Sequence, residues 1–198
     1  MRLNLGCGTK KLDGWVNVDK VVAANPDQVV DLEALPWPWP DDSVDEVLLA
    51  HVLEHLGAET AVYLGIIKEL YRVCRDGARI TIAVPHPRHD HYLNDPTHVR
   101  PITADSIGIF SQATNRKWIA AGIPNTPLGV YLGVDFEIET NNSLLAEPWR
   151  GSLARNEMTE NDVRQAAQSF NNVIQQIELV LRAVKPAGRT SSVGSQAA

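Results

Sequence analysis

The chain has little of what would mark a secreted protein, a membrane protein or a nucleic-acid clamp. Only two cysteines, Cys7 and Cys74, occur in 198 residues. They make no disulfide framework, so a reducing cytoplasm is the expected compartment. No charged N-terminal segment leads into the roughly 7–15 apolar residues of a signal peptide. No apolar run approaches the roughly 18–20 residues that span a bilayer, so no membrane partner is expected. Basic charge is scarce. The formal net charge is −6 and the pI about 5.5, which argues against a face for duplex nucleic acid. There is no internal repeat and no GxxxxGK[ST] phosphate loop.

What is present is ordinary for a globular domain with a real core, at 44% hydrophobic and 21% charged residues. One domain is expected over residues 1–186, with an acceptor-side loop at 86–101 and an insertion at 112–158. Residues 187–198, rich in Gly, Ser and Ala, read as a disordered tail.

The organising stretch is Arg2-Leu3-Asn4-Leu5-Gly6-Cys7-Gly8, a short apolar strand breaking into a Gly-x-Gly turn. Gly14-Trp15-Val16-Asn17-Val18-Asp19 reads as a second strand tipped with a carboxylate. That pairing is how an α/β protein builds a nucleoside pocket: the turn lets a ligand touch backbone, and the Asp takes ribose hydroxyls. Lys11 stands where a dinucleotide turn needs its third glycine, which disfavours an NAD enzyme.

A short third strand is predicted at 28–31. Three prolines between Pro36 and Pro40 exclude a helix interior or central strand there. Val44–Ala50 reads as a strand buried on both faces. Ala58–Cys74 has the three-or-four apolar spacing of an amphipathic helix, ended by Asp76-Gly77. Ala78–Val84 alternates as a fifth strand. A short helix follows Thr103 as N-cap, residues 112–133 resist assignment, and Asp135–Thr140 reads as a sixth strand. Thr159–Phe170 carries helix signals with Thr159 and Asp162 as its cap. Val173–Val184 fits either period; strand is preferred, because an antiparallel partner for the sixth strand completes the sheet.

Seven pieces in order then resemble the class I S-adenosylmethionine-dependent methyltransferases. They are Leu3-Asn4-Leu5-Gly6-Cys7-Gly8, Asn17-Val18-Asp19, Asp31-Leu32, Leu35-Pro36-Trp37, Asp42–Val47, His51-Val52-Leu53-Glu54-His55-Leu56 and Leu70-Tyr71-Arg72-Val73. They cover residues 1–85. The resemblance implies an α/β fold, a Rossmann-like seven-stranded, mostly parallel sheet with an antiparallel last strand and helices on both faces, and S-adenosyl-L-methionine as cofactor. It places Gly6, Cys7 and Gly8 at the methionine part, Asp19 at the ribose, Asp31 or the Leu32 backbone at the adenine, and Ala50 and His51 beside the sulfonium. Asn4 stands where the family often has an acidic residue, and Lys10 where it has a glycine. The implied activity is methyl transfer to an O or N atom of a small polar, sugar-like acceptor. The alternative is a cofactor-binding partner or regulatory module that does not catalyse.

All six histidines follow the fourth or fifth strand, the edge where α/β sheets bind ligands. His51 and His55, four apart, would share a helix face. His98 is the first choice of general base, with Asp95 orienting it, and His55 the second. His86, His89 and His91, to which Asp90, Asp95 and His98 could add ligands, match no defensible ligand spacing, so no metal is expected. Arg88 and Arg100 could meet an anionic acceptor but read more simply as solvated charges. A pocket with no N-terminal cap would be closed by a second copy of the chain, as a homodimer, or by a mobile 86–101 loop.

Overall fold

The structure, a computed structural model, describes residues 1–186; the predicted tail at 187–198 lies outside the described residues. Seven strands form one sheet in the order β3-β2-β1-β4-β5-β7-β6. They are β1 (Arg2–Leu5), β2 (Val16–Asp19), β3 (Gln28–Val29), β4 (Val44–Ala50), β5 (Cys74–Pro85), β6 (Phe136–Leu145) and β7 (Ile174–Ala183). The pairs among β1 to β5 are parallel. β7 runs antiparallel to both β5 and β6. The reversed strand predicted at 173–184 is therefore present, with β-branched and leucine side chains alternating along it.

Register explains the core. Leu3, Val47, Ile80 and Leu181 form one cross-sheet row, and Leu5, Leu49, Ile82 and Leu179 the next. None of these eight is more than 2% exposed, so each row removes branched apolar surface from water along its whole width. Helix α1 (Thr60–Val73) buries Tyr63, Ile66, Ile67, Leu70 and Val73. Its Tyr71 hydroxyl donates to the Val184 carbonyl at 2.7 Å. Both Trp37 and Trp39 are buried packing residues, with Trp37 Nε1 donating to the Leu32 carbonyl.

Several boundaries differ from the sequence reading, among them β5, which begins at Cys74 instead of Ala78, and β6, which runs to Leu145 instead of Thr140. The long helix stops at Val73, and Asp76-Gly77 falls inside β5, where the pairing with β4 slips between Val44 and Glu46. Gly77 there has φ +74°, so the glycine serves an irregular strand rather than a helix end. The unassigned stretch 112–133 contains α4 (Gln112–Ala121) and α5 (Leu128–Leu132), preceded by α2 (Asp90–Leu93) and α3 (Ala104–Gly108). Residues 112–158 also supply all of the edge strand β6 and α6 (Trp149–Ala154). Thr103 caps α3, and Thr159 with Asp162 forms the capping box of α7 (Glu160–Ser169). No described helix is long and apolar enough to cross a membrane.

The segment after β1 makes no helix until a single 3-10 turn at Val22–Ala24. Side chains hold it instead. Asn17 Oδ1 accepts from Asn4 Nδ2 at 2.9 Å and from the Leu12 amide at 2.8 Å. Asn17 Nδ2 donates to Asp27 Oδ2 at 2.7 Å, and Lys11 Nζ pairs with Asp27 Oδ1 at 2.6 Å. Lys11 and the two Asn17 donors hold the Asp27 pKa down at about 2, from an ordinary 3.8. Because the folded value lies below the unfolded one, the group stabilises the fold above about pH 4. That contribution is lost as pH falls towards about 2. Replacing Asp27 by Asn is therefore expected to lower the melting temperature at pH 7 and to flatten its decline between about pH 4 and 2. Parallel thermal melts across that range check this.

Candidate active site

A cavity of about 210 Å³ opens at the carboxyl ends of β1, β2 and β4. Gly6, Asp19, Asp31, Leu32, His51 and His55 are on its wall. A roomier groove of about 730 Å³ runs between α3, α4 and β6, but no histidine, glycine turn or strand-end carboxylate faces it. The smaller cavity is where chemistry-bearing groups converge, at the edge where parallel sheets bind ligands.

The turn is set by backbone. Gly6 has φ +65°, and a Cβ there would lie 2.4 Å from Val52 Cγ2. Position 6 thus admits no side chain on two grounds, conformation and space. Gly8, at φ +50°, donates its amide to Asp19 Oδ2 at 2.8 Å, and the Val21 amide donates to Asp19 Oδ1 at 2.8 Å. Two amides therefore aim the Asp19 carboxylate while its remaining lone pairs stay free. Asp31 Oδ1 accepts from the Glu33 amide at 3.0 Å, and Glu33 Oε1 accepts from the Gly57 amide at 2.7 Å. This joins the Asp31-Leu32 wall to the loop that opens α1.

Four residues expected at the cofactor do not line this cavity: Asn4, Cys7, Gly8 and Ala50. Asn4 is 4% exposed and spends its amide protons on Lys10 O and Asn17 Oδ1. Cys7 is buried, its amide on the Val18 carbonyl, and burial and Asp19 push its thiol pKa up. These two side chains brace the turn from behind.

His51 leaves β4 in the left-handed region, φ +56°, where non-glycine residues are uncommon. The chain then makes a 3-10 turn at Leu53–His55, so His51 and His55 share no helix face. His51 Nε2 meets Gln176 Oε1 at 3.1 Å, and its Nδ1 stands 3.5 Å from Glu54 Oε1. The Glu54 carboxylate raises the His51 pKa against the opposing effect of burial. Glu54 is 1% exposed, and neither of its oxygens has a hydrogen-bond donor. Sequence reasoning passed over this residue. Its signal was a carboxylate set among Val52, Leu53 and Leu56 and flanked by two histidines.

The loop at 86–101 is tied down. The Val99 and Arg100 amides both donate to the Glu54 carbonyl, at 2.9 and 3.2 Å. His98 Nδ1 is 2.9 Å from the Tyr92 carbonyl, and its ring stands 4.6 Å from that of His55. His55 Nδ1 meets Thr97 Oγ1 at 2.9 Å, and Thr97 donates to Asp95 Oδ1 at 2.6 Å. Asp95 thus positions His55 through Thr97, and the carbonyl of Tyr92 positions His98; Asp95 Oδ2 is 3.7 Å from His98 Nε2. Neither arginine is a free anion hook. Arg100 stacks on Tyr63 at 4.2 Å and donates to the Gly57 carbonyl. Arg88 donates to the carbonyls of Ala167 and Gln168. Among the described residues, His86, His89 and His91 do not form a converging ligand set.

Several solved structures share this fold. Solved structures with the same fold include an S-adenosylmethionine-dependent methyltransferase from Archaeoglobus fulgidus. It is 19% identical with a TM-score of 0.61, over 91% of this chain and 85% of that one. Another, from Methanosarcina mazei, is 14% identical with a TM-score of 0.54, over 93% and 92%. The [4+2]-cyclase SpnF shares the fold too, at 16% identity and a TM-score of 0.52, over 94% and 75%. No curated protein sequence matches the chain. Residues 3–82 match the family model of a methyltransferase domain. That match spans 80 of the chain's 198 residues, the part that carries β1 to β4 and most of β5.

Gly6→Ala should cost about 1–3 kcal/mol of stability, from left-handed strain and the clash with Val52. Adding Val52→Ala should recover the clash part alone, leaving the double variant between the two in urea unfolding.

Proposed function

We propose that the chain transfers the methyl group of S-adenosylmethionine to an oxygen or nitrogen atom of a small polar acceptor, sugar-like in its hydroxyl content. One observation carries this reading: the cavity wall that bears Gly6, Asp19, Asp31 and Leu32 continues into His51 and His55, and His55 meets His98 of the 86–101 loop.

The residues fit the cofactor. A nucleoside needs a carboxylate at a strand end and a turn without side chains, and Asp19 and Gly6 supply them. Asp19 accepts the ribose hydroxyls with the lone pairs its two amide donors leave free, and the Asp31-Leu32 wall takes the adenine edge. When bound, the cofactor supplies an electrophilic methyl group on a sulfonium.

The protein's part is alignment, exclusion of water and disposal of one proton. Carbonyl and carboxylate oxygens only accept, so the proton shared with the Tyr92 carbonyl sits on His98 Nδ1. Thr97 gives its hydroxyl proton to Asp95, so His55 Nδ1 is the donor to Thr97. Both rings then present Nε2 with a free lone pair, able to take the proton of an acceptor hydroxyl or amine.

Calorimetric titration with S-adenosylhomocysteine tests the cofactor half. Asp19→Ala should weaken binding at least about tenfold, about 1.4 kcal/mol. Absence of binding by the parent protein overturns the reading. Transfer of labelled methyl into a mixture of polar metabolites should fall when His98 or His55 is replaced by Ala; transfer unaffected by both removes them from the chemistry.

A further inference from the structure

We infer that Glu54, His55 and His98 form a binding site for one divalent first-row transition-metal ion at the acceptor end of the cavity. Each offers one ligand atom, and the three atoms lie within 4.8 Å of one another. A single ion with bonds of about 2.0–2.2 Å can reach all three after small side-chain adjustments.

The argument for a cation is a count of donors. Glu54 is 1% exposed, and both its oxygens lack a donor. A buried carboxylate in that state is costly unless a cation faces it. The nearest cationic candidate, His51 Nδ1, is 3.5 Å away and belongs to a side chain half in solvent. Arg100 donates from Nη2 to the Gly57 carbonyl and stacks on Tyr63; its buried Nε has no partner, but among the described residues it makes no hydrogen bond to Glu54. The imidazoles nearby worsen the imbalance, because the tautomers set by Tyr92 and Thr97 leave Nε2 of each as a lone pair. In those tautomers neither ring has an Nε2 proton to give to Glu54.

The surroundings are those of metal-bound histidines, whose second nitrogen usually donates to a carbonyl or carboxylate that fixes the ring. His98 does so to Tyr92, and His55 does so through Thr97 to Asp95. Two imidazoles and one carboxylate suit Mn, Fe, Co, Ni or Zn better than Mg or Ca, and three protein ligands leave open positions. His55 is on the cavity wall, so those positions are available to an oxygen of the acceptor. That last role rests on the proposed methyl transfer; the ion site itself does not. With an ion bound, His55 and His98 are ligands rather than free bases.

The test uses the full chain, stripped with EDTA and desalted. It is titrated with Mn²⁺, Co²⁺ and Zn²⁺ separately by calorimetry, with the visible spectrum of Co²⁺ as a second readout. One saturable site per chain is expected. Glu54→Gln and His98→Gln should each weaken it at least about tenfold, while His91→Gln, on the same loop but outside the set, should not. Absence of saturable binding for all three ions overturns the inference, as does a Glu54→Gln protein that binds as tightly as the parent. Should Glu54→Gln fail to fold by circular dichroism, His98→Gln decides alone. S-adenosylhomocysteine titrations of the same samples keep the two claims apart: loss of metal with cofactor affinity intact supports the ion site, and a parent that binds metal but no cofactor removes only the methyl-transfer reading.

Discussion

The side-chain amide of Asn17 is the constraint on which the site depends. The turn between β1 and β2 carries Gly6, which lies on the cavity wall, yet no helix stands behind it to hold it in place. Asn17 replaces that support by accepting from Asn4 and Leu12 and donating to Asp27, which Lys11 then neutralises. The polar groups are mostly interior to the network, so each bond is made where an unmade one would be expensive. With the turn fixed, Gly8 can aim Asp19, and Gly6 can lie directly against Val52.

That last contact carries the geometry to the other half of the site. Val52 follows His51, whose left-handed backbone lets the chain leave β4 sharply. The 3-10 turn that comes next buries Glu54, whose carbonyl holds the 86–101 loop through two amides. One residue therefore fastens the loop by its backbone and faces the histidines with its side chain. A substitution of the carboxylate that keeps the volume leaves the first task untouched, because that task belongs to the main chain.

Much of this was legible in the sequence where a local rule and the global arrangement agree. The strand-end Asp19, the β4 run and the caps at Thr103 and Thr159 are cases in which propensity, pattern and packing point the same way. Val173–Val184 was legible only through the sheet it completes. The α1 terminus was misread because Asp76-Gly77 has the chemistry of a helix end, whereas the actual stop is the β4 pairing that begins at Cys74. Asn4 and Lys11 looked like departures from a ligand-binding pattern. Their partners lie 13 and 16 residues away, and nothing local announces a bond of that kind. Glu54 was missed for the opposite reason: it stands inside an apolar run, where a charged residue is easily taken for the exposed position of an amphipathic turn.

The same long-range bonds bear on what the acceptor can be. Fold alone does not decide the chemistry, since a [4+2]-cyclase shares it. The loop arginines could have marked an anionic acceptor, but Arg100 is committed to Tyr63 and Gly57, and Arg88 to the carbonyls at the end of α7. Bringing either to a ligand would break bonds that hold the loop to the domain. What remains where the loop meets the cavity is two imidazoles, a buried carboxylate and Asp95. An anion would meet only lone pairs there unless a cation were bound first, whereas a hydroxyl or amine brings the hydrogen those lone pairs lack. For the proposed methyl transfer, the electrostatics of the loop would thus favour a protic acceptor while the imidazoles act as bases; a bound cation would lift the bar to an anion.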